Sequence, residues 1–200
     1  MSNFIRSVFI AAAAAVVLVV GLPRAQTEDV FAFIPPGGRE LLIQILQSGP
    51  TADDVNALLT GRRGAHDWHA YLASRADSVP VLKDFGDQEL ATLANYLAFA
   101  MPLPADRMPA DPARADWKKI LPMDGRDLAL NYCQSCHIIT VVITQDRPVE
   151  HWLGTMNKPS HVEIELTPQQ RKELANYLVV NGGIPIDLVP EELRAGGASY

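Results

Sequence analysis

The sequence predicts an all-α chain made of two tandem helical domains of similar design. Three observations carry this expectation. Apolar residues recur at helical spacing in segments opened by capping residues, as in "LTPQQRKELANYLVVNGG" at 166–183. No run of residues alternates in the manner of a strand in a βαβ unit. An ordered series of short strings also occurs twice along the chain, the signature of a repeated structural unit.

Taken in order, residues 1–25 read as an export signal. Arg6 supplies the positive start, and Ser7 to Leu22 form an uncharged, mostly apolar run rather short for a membrane span. Ala25 is the expected last residue before cleavage, although Pro23 is a poor choice at the small-residue position of such a site. A periplasmic location follows, with an N-terminal membrane anchor if the segment stays uncleaved. Arg6 and Arg24 lie in this segment and no acid does, so its removal takes the formal charge from −6 to −8. An acidic chain without a Lys/Arg cluster excludes nucleic acid as a partner, because neutralising phosphates needs such clusters. Acidity suits docking onto the basic patch of a protein partner.

The first repeat is expected over 26–103. "GRELLIQILQSGP" at 38–50 aligns without gaps to "GRDLALNYCQSCH" at 125–137. "DWHAYL" at 67–72 resembles "EHWLGTM" at 150–156, pairing Trp68 with Trp152, and "LANYL" stands at both 93–97 and 174–178. The offsets of 87, 84 and 81 need only two small length changes. Residues 104–123 form a Pro-rich connector. Five prolines between 100 and 124 forbid a long helix, while Met101, Leu103, Trp117, Ile120 and Leu121 favour an ordered strap.

The second repeat is expected over 124–185. Asp124 caps an amphipathic helix through residue 132 with acid in its first turns. Near its end lie both cysteines of the chain, in "NYCQSCHIIT" at 131–140. Four chemistries use such a pair. A disulfide between residues three apart constrains little chain. A thioredoxin-like redox pair wants a βαβ setting. Zinc wants four ligands, and His151 and His161 fall at no common finger spacing. Covalent haem attachment uses C-x-x-C-H as it stands: Cys133 and Cys136 each add across a vinyl group, and His137 becomes the proximal iron ligand. One helical turn brings the three to one edge of the macrocycle. The haem reading fits best an exported chain with no other cysteine.

The last long helix is expected from Thr167, an N-cap with Pro168 at the first helical position and Gln170 completing a capping box. Gly182 and Gly183 end it. Leu174, Tyr177 and Leu178 make its apolar stripe. A tail over 186–200 follows, with a frayed end.

With Gly125, Leu128, Cys133, Cys136 and His137 matching a G-x-x-L-x-x-x-x-C-x-x-C-H pattern, the segment 117–185 resembles a class I-like monohaem c-type cytochrome domain. The resemblance implies one covalently bound haem c per chain and a second axial ligand. Arg147, Trp152 and Met156 look like the Arg, Trp and Met of short exported cytochromes. On that likeness Met156 is the sixth ligand, Trp152 packs on the haem and Arg147 serves a propionate. His161, His151 or an open sixth position are the alternatives. In the first repeat Leu46, Gly49, Pro50 and Leu72 occupy the places of Cys133, Cys136, His137 and Met156. That copy is therefore expected to be a haem-less cytochrome c-like domain, with apolar groups filling the vacated volume and His66 and His69 on its surface.

The function this implies is single-electron transport, with redox proteins as donor and acceptor, as a free carrier or as the cytochrome subunit of a dehydrogenase complex. Two other classes stay open, a peroxidase-like haem enzyme and a haem-based sensor. No nucleophile–base pair, phosphate-binding Gly loop or paired-carboxylate site is present in the sequence.

Overall fold

The computed structural model describes residues 29–194; the expected export signal at 1–25 and the last residues of the tail lie outside them. The described chain is all-α, with no strand among the described residues. No described helix is long and apolar enough to cross a membrane.

The first half contributes α1 (Gly38–Gln47), α2 (Ala52–Thr60), α3 (Ala65–Arg75) and α4 (Asp87–Ala100). Each buries one stripe at helical spacing: Leu41, Leu42, Ile45 and Leu46 on α1, Trp68 and Leu72 on α3, and Leu93, Tyr96 and Leu97 on α4. After the Pro-rich strap and the short α5 (Trp117–Ile120), the second half follows. It comprises α6 (Gly125–Leu128), α7 (Thr140–Ile143), α8 (Val149–Met156), α9 (Pro159–Val162) and α10 (Pro168–Asn181). The caps read from the sequence form. Asp124 accepts from Asp127 N–H at 2.9 Å while its own N–H donates to Asp127 Oδ2 at 3.0 Å. Thr167 and Gln170 make the same reciprocal pair at the start of α10. Gly183, with φ of +72°, takes the left-handed turn behind α10.

The strings that match in sequence make matching contacts. The N-terminus of α1 crosses α4 so closely that a Cβ on Gly38 would stand 2.2 Å from Tyr96 Cβ. At the equivalent crossing of α6 and α10, a Cβ on Gly125 would stand 2.1 Å from Tyr177 Cβ. Only glycine admits backbones this near.

Two cores result, and two segments reach across between them. The first core gathers α1–α4 together with Leu103, Trp117 and Leu121 of the strap. The strap is thus ordered, but it lies on the first half and not along the cavity of the second. The second core gathers α6–α10 and takes in Ile34, which precedes α1, with Phe31 and Phe33 beside it. The exchange is reciprocal. Tyr177 of α10 donates its hydroxyl to Pro35 O at 2.6 Å, and Tyr96 of α4 donates to Pro122 O at 2.9 Å. Pro35 and Pro122 are themselves 87 residues apart, the offset of the first matched string. The two long C-terminal helices pack on each other, with Asn181 bonded to Thr92.

At the centre of this exchange sits Asp124, 2 % exposed. Besides capping α6, it accepts from Arg39 N–H of α1 at 2.8 Å, while Arg39 reaches Asp127 at 2.6 Å. Glu173 of α10 lies against it, 3 % exposed, accepting from Gly125 N–H at 3.3 Å with its second oxygen unpartnered. Burial first, and the Asp124 charge second, push the Glu173 carboxyl up to about 8; burial and the Asp127 carboxylate also raise Asp124. A carboxyl raised in the folded state is bound to its proton more tightly there than in the unfolded chain. Its contribution to stability is complete below the ordinary carboxylate range and lost as pH climbs toward about 8. Urea unfolding midpoints are therefore expected to fall between pH 5 and pH 8, and Glu173→Gln to flatten that fall; a variant with the same slope as the parent would contradict the assignment.

Candidate functional site

The turn that carries both cysteines is built by the way α6 ends. The helix does not continue regularly to residue 132. It widens into a π turn over Ala129–Cys133, where Gln134 N–H reaches back to Ala129 O at 3.2 Å. Such widenings of an α-helix recur at functional sites. Cys136 and His137 then both donate their N–H to Cys133 O, at 3.2 and 3.0 Å, which closes one tight turn. Gln134 Oε1 accepts from Ile139 N–H at 2.7 Å and holds the far side.

This turn forms one wall of a cavity of about 380 Å³. Cys133, Cys136 and His137 all line it. Trp152 and Met156 reach it from successive turns of α8, and His161 from α9. Leu174 and Leu178 of α10 close the floor. Apart from its sulfurs and imidazoles the lining is largely apolar, and the volume falls in the range of ordinary cofactor and ligand sites.

The Cys133, Cys136 and His137 positions therefore come together with Met156 and Trp152. Arg147 does not line the cavity. It lies behind Trp152, its guanidinium 5.3 Å from the indole centre and its Nη1 3.5 Å from Thr155 Oγ1. His151 is exposed and outside the cavity. In the first half His66 is exposed and His69 half-buried.

The chemistry of the donor set narrows the readings. The two thiols are free. Burial, and then the neighbouring Cys136, push the Cys133 thiol up to about 11, opposite to the depressed thiol of a disulfide-exchange centre. No three His, Cys, Asp or Glu side chains converge on a common point among the described residues, so a structural zinc site is not formed. What remains is two thiols and an imidazole on one wall of a largely apolar cavity, with a thioether and a second imidazole also lining it. Trp152 Nε1 is buried with no partner, an N–H donor that a bound acceptor would satisfy. Trp68 Nε1 of the first half is likewise buried without a partner. The His137 ring makes no hydrogen bond among the described residues. On balance the residues fit a covalently held haem.

The matching region of the first half is packed. A space of about 10 Å³ lies there, between Leu72, Leu58, Val79 and Leu82 and the buried Asp54, which the half-exposed Arg75 meets at 2.6 Å. Leu46, standing where Cys133 stands, is 8 % exposed and part of the core. Gly49, standing where Cys136 stands, has a φ of +79° that turns the chain away at the end of α1. Arg63 covers the outer side, stacked 4.6 Å from Trp68 and 4.3 Å from Tyr71.

One residue of the site went unread in the sequence. Arg171, 8 % exposed on α10, has no carboxylate partner among the described residues. Its guanidinium donates instead to the carbonyls of Met156, His161, Val162, Ile164 and Leu166, so one side chain holds the whole segment between α8 and α10. The signal was available in the repeat: the matching position is Leu90, an apolar residue, which marks the place as inward-facing.

No family model, curated protein or solved structure matches the chain. Arg171→Met keeps most of the volume and removes every donor. It is expected to destabilise the fold by about 2–4 kcal/mol, as the buried carbonyls of Met156 and Leu166 and the half-buried ones between them lose their only side-chain partner; a urea midpoint within error of the parent would show the clamp to be dispensable.

Proposed function

We propose that this chain is an exported monohaem c-type cytochrome that carries single electrons between redox proteins. The observation that supports it most is the convergence of Cys133, Cys136, His137, Trp152 and Met156 on one largely apolar cavity. Bound there, haem supplies one-electron chemistry by cycling between ferric and ferrous iron. Cys133 and Cys136 would hold it through two thioether bonds. His137 from the same turn and Met156 from α8 would be the protein donors to its iron. A Met/His pair favours a higher reduction potential than other common axial pairs, and the apolar floor of Leu174 and Leu178 excludes water from the macrocycle. Trp152 Nε1 offers a buried hydrogen-bond donor to a propionate. Arg147 supports Trp152 from behind.

In this reading the two halves are copies of one cytochrome c-like unit. The first, with its haem volume filled, is a scaffold and docking surface. The acidic chain presents that surface to basic patches on an electron donor and acceptor, as a carrier or as the cytochrome subunit of a dehydrogenase complex. Export to the periplasm supplies the compartment in which attachment takes place.

The reading is tested by the absorption spectrum of the ferrous protein with and without carbon monoxide. Two axial protein ligands predict a six-coordinate low-spin spectrum that carbon monoxide leaves unchanged. Ready binding of carbon monoxide would contradict electron carriage and favour a haem enzyme or sensor.

A further inference from the structure

The cavity holds one more potential donor than a six-coordinate haem needs. His161 lines it together with Met156, and the two reach it from neighbouring elements, α9 and α8. The centres of the His161 and His137 rings lie 6.1 Å apart, with 25° between their planes. That spacing equals the one expected for two imidazoles bonded to one metal ion, about 6 Å from two metal–nitrogen bonds of about 2.0 Å and about 1.1 Å from each nitrogen to its ring centre.

The second ring nitrogen of His161 is already engaged. Its Nδ1 lies 2.9 Å from Ser160 Oγ. With the Nδ1 hydrogen donated to that hydroxyl, the lone pair is on Nε2, the arrangement that metal-binding histidines show when an outer partner fixes their tautomer. The Arg171 guanidinium meanwhile bonds the carbonyls of both Met156 and His161, so both residues hang from one fixed stretch of backbone. Exchange between them therefore needs rotation of side chains and no movement of the fold.

We propose that His161 is a second distal ligand of this site and exchanges with Met156 as the iron changes oxidation state. Imidazole, the harder donor, is bound in the ferric protein; thioether, the softer, is bound in the ferrous protein. When an electron leaves to the acceptor protein, the iron–sulfur bond to Met156 opens and the Nε2 lone pair of His161 forms an iron–nitrogen bond. Reduction by the donor protein reverses both. With the Nδ1 hydrogen held toward Ser160, the exchange moves no proton. The inference rests on the cavity being a haem site.

The experiment is the ferric spectrum, by absorption and electron paramagnetic resonance, of the full haem-loaded chain, with its midpoint potential. The parent is expected to be low-spin with two-imidazole character and without the long-wavelength sulfur-to-iron charge-transfer band of a ferric Met ligand. His161→Ala is expected to gain that band. Met156→Ala is expected to keep the ferric spectrum and to lower the midpoint potential, because only the ferrous state loses its ligand. A parent that already shows the sulfur band, unchanged in His161→Ala, would overturn the exchange and leave the haem reading intact. High-spin ferric iron in His161→Ala, with the potential unmoved in Met156→Ala, would overturn it as well, by making His161 the sole distal ligand. A chain that carries no haem would overturn the underlying reading itself. The parent spectrum alone decides the first point, so the test survives a variant that folds poorly.

Discussion

Asp124 caps two helices with one carboxylate. Its Oδ1 takes the Asp127 N–H of α6 and its Oδ2 the Arg39 N–H of α1. The amino ends of the two halves are thereby fixed on a single buried group, and the rest of the arrangement follows from it. Gly37 must be small, since a Cβ there would stand 2.0 Å from Asp124 Oδ2. The chain leading into each first helix is carried over to the other half, where Ile34 and Leu121 are buried and the carbonyls of Pro35 and Pro122 meet Tyr177 and Tyr96. Neither half keeps a complete core without the other's leading segment. The cost is a second carboxyl, Glu173, buried beside the first with one oxygen unpartnered, and it is met by holding that carboxyl protonated.

This constraint reaches the candidate site through two elements. The start of α6 is pinned by Asp124 and by its close crossing with α10 at Gly125, so the π turn that follows presents Cys133, Cys136 and His137 from a fixed origin. The same α10 supplies Leu174 and Leu178 to the cavity floor and Arg171 to the segment that bears Met156 and His161. Both walls of the cavity are thus referred to one helix. The first half has the same frame and a space there of only about 10 Å³, because leucines stand at the places of Cys133 and Met156 and α2 with the Val79–Leu82 turn fills the rest.

Much of this was legible from residues that act locally. Asp124 and Thr167 cap helices through bonds spanning three residues, so their neighbours in sequence are enough to identify them. Leu174, Tyr177 and Leu178 face inward because their spacing allows nothing else. The grouping of Cys133, Cys136 and His137 follows from a single turn. The exchange of leading segments was not legible: Ile34 and Leu121 present the same apolar pattern whichever core receives them. The widening at Ala129 was also hidden, since the residues there suit a regular helix. Arg147 holds its charge over Trp152 and does not itself line the cavity. Arg171 in its polar stretch resembles solvent-facing surface, and only the matched Leu90 marks it as inward-facing.

The central claim is that the pair of thiols and the histidine behind them hold one haem, in the second half alone. The mass of the mature chain, isolated after export from cells able to attach haem, tests it most directly. The account predicts the polypeptide mass plus one haem, with the added mass retained under denaturation and lost when Cys133 and Cys136 are both replaced by alanine. An intact chain of unmodified mass from the same cells would contradict it.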